Sequence, residues 1–245
     1  MKKIIFFAVM AILMVSFNAC KKDSKDDNDS TSGNSAKTTA VFNSSVTYGT
    51  LTDQDGNVYK TVTIGSQTWM AENLRTTKYN DGTAIPNVTD DAKWPTLTSG
   101  AYCTNNNTID ATSIATYGGL YNWHAVNTGK LAPKGWHVPT DAEWQTLVDY
   151  LGGEYIAADK LKETGITHWG INPDATNETG FTALPGGNRY MEGAFNGLGE
   201  YSNWWTATES DTNSALYRSM FYGTSSVYNG NPFKYFGLSV RCLKD

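Results

Sequence analysis

Between Pro139 and Gly152 the sequence spells out a complete helix, and no other segment does so as clearly. Thr140 and Glu143 form a capping-box pair directly after Pro139, Trp144, Leu147, Val148 and Leu151 recur at i, i+3, i+4 and i+7, and Gly152 supplies the stop. The spacing predicts a helix over Asp141 to Leu151 that lays one face on a core. Two further helices are expected, one from Ala115 or Gly119 to Val126 and one from about Ile156 to Glu163, before Gly165. Strand signals are short. Val58, Val62 and Ile64 share one parity after the Asp55-Gly56 turn, and a second strand, Thr68 to Ala71, follows Gly65-Ser66-Gln67. At the end of the chain Phe236, Leu238, Val240 and Cys242 alternate with Gly237, Ser239 and Arg241, the period of a strand buried on one side. Residues 80–116 and 165–200 are rich in Gly, Asn, Thr and Ser and carry little periodicity, so they read as ordered loops pinned by aromatics. No internal repeat is visible.

Loops of that length need anchors, and the composition provides them. Eight Trp, 14 Tyr and 9 Phe stand in a chain with only 18% charged residues, enough aromatic area for a sizeable core and some left to face a ligand. Lys and Arg number 19 against 24 acidic residues, a net charge of −5, which argues against a protein that tracks nucleic-acid phosphates.

The first 20 residues read as an export signal. Lys2 and Lys3 precede a 14-residue apolar run, Ile4 to Phe17, short of the ~20 residues that span a bilayer and suited to a signal-peptide core. Phe17-Asn18-Ala19-Cys20 resembles the bacterial lipobox, with Phe where Leu is usual, and marks Cys20 as the lipidated first residue of the mature chain. Residues 21–40 hold no aromatic and no large aliphatic side chain, so they cannot offset chain entropy by burial and read as a solvated tether. Lys22-Asp23 with Asp26, Asp27 and Asp29 resembles the charged export tags of surface lipoproteins of Bacteroidetes-type bacteria; a generic polar linker is the plainer reading. The expected organisation is a signal peptide (1–19), a lipid-anchored linker (20–40) and one globular domain (41–245). Two of the 19 basic residues leave with the signal, so the mature chain carries 17 against 24, a net −7.

Motifs for chemistry are sparse. Asp53, Asp55 and Asn57 have the opening spacing of a calcium loop, but Val58 stands where glycine is required and Ile64 where the bidentate Glu belongs, leaving a plain turn. His124, His137 and His168 have no metal-ligand spacing, and no Gly-x-Ser-x-Gly elbow or phosphate loop occurs. No metal or cofactor is expected. A glycosidase carboxylate pair cannot be assigned without a separation.

Several segments together resemble a known family. Asp55-Gly56-Asn57-Val58-Tyr59-Lys60-Thr61-Val62, Gln67-Thr68-Trp69-Met70-Ala71-Glu72-Asn73-Leu74 and Tyr117-Gly118-Gly119-Leu120-Tyr121-Asn122-Trp123 are similar to the Fibrobacter succinogenes major paralogous domain. Gly135-Trp136-His137-Val138-Pro139-Thr140-Asp141-Ala142-Glu143-Trp144, Gly180-Phe181-Thr182-Ala183-Leu184-Pro185-Gly186-Gly187, Trp204-Trp205-Thr206-Ala207-Thr208-Glu209 and Ser239-Val240-Arg241-Cys242 continue the pattern in order, over about residues 51–243. The resemblance implies a secreted or lipid-anchored single-domain surface protein. The stretch from Pro139 to Trp144 is also similar to the helix start of formylglycine-generating enzymes. That likeness implies an α+β, C-type-lectin-like (sulfatase-modifying-factor-like) domain, with small twisted antiparallel sheets, flanking helices and long ordered loops. Catalysis in those enzymes needs a reactive cysteine pair, whereas this chain offers Cys103 and Cys242, the latter in a segment unlike their active site. An enzyme is therefore not expected. Cys103 and Cys242 look like the family's paired cysteines, and an oxidising surface location favours a disulfide between them; two free buried thiols are the alternative.

The expected role is a cell-surface, outer-membrane lipoprotein acting as a binding or adhesion module for a glycan or protein, touching the membrane only through its lipid. A structural component of a cell-surface assembly is the alternative, and a divergent enzyme on the formylglycine-generating fold ranks below both. Adjacent side chains on a strand point to opposite faces, so of Trp204 and Trp205 at most one serves a given core layer. The other must enter a second apolar layer or be exposed. An exposed indole flanked by Asn203 and Glu209 would suit a sugar ring, with Asn188, Arg189 and Arg218 as further ligand candidates. The alternative is that both tryptophans are core.

Overall fold

The computed structural model describes residues 36–245. The export signal, Cys20 and the linker up to residue 35 lie outside the described residues. Contacts to the domain begin before residue 41: the Thr39 N–H donates to Thr116 Oγ1 (3.0 Å) and the Thr39 hydroxyl lies 2.9 Å from His168 Nε2. Among the described residues no helix is long and apolar enough to cross a membrane.

In chain order the strands are β1 (Gly49–Thr52), β2 (Val58–Ile64), β3 (Gln67–Met70), β4 (Tyr102–Thr104), β5 (Gly119–Tyr121), β6 (Trp136–His137), β7 (Gly186–Arg189), β8 (Phe195–Leu198), β9 (Tyr201–Glu209), β10 (Ala215–Phe221), β11 (Val227–Gly230) and β12 (Leu243–Lys244). The helices are α1 (Ala111–Tyr117), α2 (Trp123–Val126), α3 (Asp141–Tyr150) and α4 (Ala157–Leu161). They assemble an antiparallel sheet in the order β1-β2-β3-β12-β6, a second sheet β11-β10-β9-β7-β8 and a β4-β5 pair. Among the described residues the longest helix has 10 residues and the architecture is mostly β, where an α+β domain was expected.

The helix α3 forms as its sequence demands. Thr140 Oγ1 accepts from the Glu143 N–H and Glu143 Oε2 accepts from the Thr140 N–H (2.7 Å), while Trp144, Leu147 and Val148 are buried. The second expected helix is instead two, because Gly118 interrupts it. Its φ is 79°, and a Cβ there would lie 2.6 Å from Asn73 Cβ, so the chain leaves α1, forms β5, and restarts at α2 under the Asn122 cap. The third shrinks to α4.

The terminal alternation also resolves differently. Residues 236–242 are buried on both sides rather than one, and apart from β12 they pair through single bridges, Gly237 with Arg189, Leu238 with Tyr121 and Ser239 with Trp204. A charged residue tolerates this position because Arg241 is satisfied internally: it donates to Asn73 Oδ1 (2.9 Å), Thr182 O (2.8 Å) and Phe181 O, and its guanidinium lies 4.3 Å from the Phe181 ring centroid.

Two large apolar clusters fill the domain. Trp69, Trp144, Phe181 and Trp204 form the centre of one, with Trp69–Trp144 centroids 4.8 Å apart and Trp144–Trp204 5.8 Å. The other gathers Tyr59, Met70, Tyr121, Trp123, Trp205, Leu238, Val240 and Cys242. A third, smaller one holds Val88, Trp94, Cys103 and Leu120. The expected Cys103–Cys242 disulfide is absent: both are free, buried thiols, each packed in a different cluster. Burial pushes the Cys103 thiol up to about 12 and raises that of Cys242 further, so neither ionises readily.

Candidate functional site

The second sheet decides the fate of the two adjacent tryptophans. Strand alternation sends Trp204 into the α3 cluster and Trp205 into the opposite one, and both are 0% exposed. Each indole N–H is satisfied inside, Trp204 at Asn73 Oδ1 (2.9 Å) and Trp205 at Tyr121 O (2.7 Å). A second apolar layer exists, so no indole is left over for a ligand. The other sequence-derived candidates separate. Glu209 pairs with Lys234 Nζ, and, six residues from Asn203 along β9, it stands about 20 Å from it. Arg218 is buried and bonds Asp141 Oδ1 at 2.7 Å, tying β10 to the first turn of α3. Arg189 is buried between the Trp94 and Phe195 rings and donates to Gly193 O (2.9 Å), Val88 O (2.7 Å) and Thr89 O (3.1 Å), with Asp91 at 2.6 Å. Both arginines hold the scaffold.

What remains of the expected site is Asn203 and its surroundings. Tyr201-x-Asn203-x-Trp205 on β9 and Tyr217-x-Ser219-x-Phe221 on β10 carry the same aromatic–polar–aromatic pattern. Antiparallel pairing sets Tyr201 opposite Phe221, Asn203 opposite Ser219 and Trp205 opposite Tyr217, and β11 adds Tyr228 beside Ser219. The result is a sheet face with a polar row bordered by rings. Tyr201 and Phe221 centroids are 5.5 Å apart, Phe221 and Tyr228 5.3 Å, and Tyr228 is 43% exposed. A second set of rings comes from the C-terminal segment and β7's end: Tyr190 meets Phe236 at 4.8 Å, and Phe233 stacks on Tyr235 at 5.4 Å. Burial raises the pKa of Tyr201, Tyr217 and Tyr235, and the nearby Tyr190 hydroxyl adds to the rise in each, so these phenols stay protonated donors.

The floor of this face carries unmet hydrogen-bonding capacity. Ser219 Oγ is buried with no hydrogen-bond partner among the described residues. Parallel pairing of Gly187 with Ser202 puts Asn188 on β7 at the level of Asn203 on β9, and Asn188 Oδ1 is likewise buried without a partner. Sequence reasoning named Asn188 and Asn203 but missed Ser219, Tyr201, Phe221 and Tyr228. The repeated aromatic–polar–aromatic triplet was the signal that could have found them.

The histidines do not converge on a metal. His137 lies between Asp245 (2.7 Å) and Glu143 (3.0 Å), His168 bonds Glu163 (2.6 Å), and burial with the nearby Lys234 lowers the pKa of His124. Among the described residues no group of three His, Cys, Asp or Glu side chains could hold an ion. Asp53 and Asp55, at the calcium-like spacing, are occupied by the chain itself: Asp53 accepts from the Asp55 and Asn57 N–H groups (both 2.9 Å) and from Tyr59 Oη (2.6 Å).

The profile of the Fibrobacter succinogenes major domain matches residues 62–244, nearly the whole described domain. The chain belongs to that family. Both faces of the β9 strand and the terminal Ser239–Cys242 segment fall inside the matched region, so the aromatic face is built from the family domain itself. No curated protein and no solved structure matched the chain.

Proposed function

We propose that this member of the Fibrobacter succinogenes major domain family is a non-catalytic glycan-binding module, carried on a lipoprotein exported through residues 1–19 and anchored at Cys20. The carrying observation is the pair of in-register triplets whose half-buried rings Tyr201, Tyr217 and Phe221, with the exposed Tyr228 beside them, border a polar row that leaves Ser219 Oγ without a partner. Aromatic faces stack on the apolar faces of pyranose rings, and amides and hydroxyls between them take up sugar hydroxyls. The long loops around small antiparallel sheets are in keeping with a C-type-lectin-like architecture, in which a rigid scaffold presents a variable binding face. An acidic domain on a polar tether would stand clear of the outer membrane and meet a ligand at the cell surface.

A glycan array probed with the purified protein tests the reading. Hits that disappear with Tyr228→Ala, an exposed ring whose loss leaves the core intact, support it. An array without hits, or hits indifferent to Tyr228→Ala and Phe221→Ala, refutes it. Complete burial of Trp204 and Trp205 favours the alternative, a structural component of a surface assembly. In that case crosslinking on intact cells returns one stable protein partner through the face that carries Tyr228.

A further inference from the structure

Ahead of β1 the chain is fastened to residues far along the sequence, and residues 39–48 form a strap across the domain. Its strongest holds are Glu163 and His168. Glu163 is fully buried with both oxygens engaged: Oε1 accepts the Val41 N–H (2.5 Å) and Oε2 lies 2.6 Å from His168 Nδ1. The other ring nitrogen of His168 lies 2.9 Å from the Thr39 hydroxyl, which meets Thr116 Oγ1 at 2.9 Å. A carboxylate withdrawn from water is costly unless hydrogen-bonded, so the strap supplies one of the partners that keep Glu163 satisfied. Asn43 Nδ2 adds a bond to Asn177 O (3.0 Å). The body is shaped to receive this segment. Gly180 has φ of 74°, and a Cβ there would lie 2.8 Å from both Tyr48 Oη and Val46 Cγ1, so glycine lets the strap approach closely. Lys60 Nζ lies 5.1 and 5.2 Å from the Phe42 and Tyr48 ring centroids. Glu163, His168 and Gly180 fall inside the family-matched region 62–244, whereas the strap precedes it.

Phe42, Val46 and Tyr48 pack against the cluster that holds Trp144 and Trp204. Trp204 enters that cluster from one face of β9, and Tyr201 and Asn203 project from the other, where the aromatic rings stand. The strap therefore lies behind the sheet that carries the aromatic face. We infer that residues 39–48 are a latch that fixes where the chain leaves the domain, on the side away from the aromatic face, so that a tether running back to Cys20 holds that face outward. Without the latch, ten residues would join the tether, lengthening its reach by up to about 33 Å and letting the domain turn about β1. The latch holds whatever the face binds; only its use in presenting that face rests on the glycan reading.

The test uses the full chain with Cys20→Ala, spin-labelled through Lys37→Cys and Tyr228→Cys, both exposed positions; Cys103 and Cys242 are buried and stay unlabelled. A narrow distribution of distances between the labels is expected, broadening in Val41→Pro, which removes the N–H bonded to Glu163. Amide hydrogen exchange of the unlabelled protein is read alongside. Thr39 and Val41 should be protected in the parent; exchange at Thr39 should quicken by roughly ten- to hundredfold in Val41→Pro, the loss of a bond to a charged group, and at Val41 by roughly fivefold in Thr39→Val. Amides of β9 and β10 should keep their protection in both variants. Any of four results overturns the inference: unprotected Thr39 and Val41 amides in the parent; a broad distance distribution in the parent; strap exchange unchanged in both variants; or loss of β9 protection together with the strap, which would make the segment core rather than latch. A glycan array without hits overturns the glycan reading alone, since neither readout of the latch involves a ligand.

Discussion

Ser219 and Ser202 sit on neighbouring strands of one sheet, both fully buried, and their removal should move stability in opposite directions. Ser202 Oγ donates to Leu184 O, whereas Ser219 Oγ has no partner among the described residues. A buried hydroxyl left unpaired costs roughly 1–3 kcal/mol against water, and a made hydrogen bond contributes about 1 kcal/mol. Ser219→Ala removes a penalty and leaves a small gap where the oxygen was, so a net gain of ~1 kcal/mol is expected. Ser202→Ala removes one of the two bonds to the Leu184 carbonyl, which keeps the Gly186 N–H (2.9 Å), and leaves a small gap, a loss of about 1–2 kcal/mol. The two variants should thus differ by ~2–3 kcal/mol, or roughly 4–12 °C in Tm for a domain of about 200 residues. Urea unfolding at fixed pH reads this directly as shifts of the midpoint at constant slope. The same Ser219→Ala protein should bind glycan less well, the trade expected where an unsatisfied group serves a ligand. A Ser219→Ala midpoint below that of the parent would refute the reasoning, since it would mean that the hydroxyl is already satisfied.

Trp204→Ala and Trp205→Ala should each destabilise by about 3–5 kcal/mol, because each empties a separate core cluster; a mild loss in either, measured by the same unfolding curves, would mean that its indole is not core. Cys103 and Cys242 should resist iodoacetamide in the native, oxidised protein and react once it is unfolded; recovery of a linked peptide without reductant would contradict the two separate thiols. Burial opposes a charge on His137, but the Asp245 and Glu143 carboxylates outweigh it and raise its pKa. Its contribution should therefore be fully present below about pH 6.5, the unfolded value, and fade as pH rises through the higher folded value. The ring is 38% exposed, so the effect stays under about 1 kcal/mol, read as the difference in stability between the parent and His137→Gln across pH 5–9. Metabolic palmitate labelling should vanish in Cys20→Ala; undiminished labelling would rule out the anchor.

Features that depend on neighbours a few residues apart were legible in advance. Thr140 and Glu143 meet within one turn, so the cap and the start of α3 followed from spacing, as did the Asp53–Asn57 turn and the β2 hairpin strand. Alternation at Trp204-Trp205 showed that the two indoles must part company, since the pleat is a local property. Whether the second indole found another core or open water depended on Tyr121, Leu238 and Val240, which come from other parts of the chain. The same holds for the cysteines, whose pairing needs two distant segments to arrive side by side, and for the terminal segment, which Asn73, Phe181 and Thr182 bury on both sides by satisfying Arg241. The aromatic face lies between these cases. Its two triplets stand in plain view, but only a register that sets Asn203 against Ser219 makes one surface of them; a slip of one residue would turn every ring to the other face.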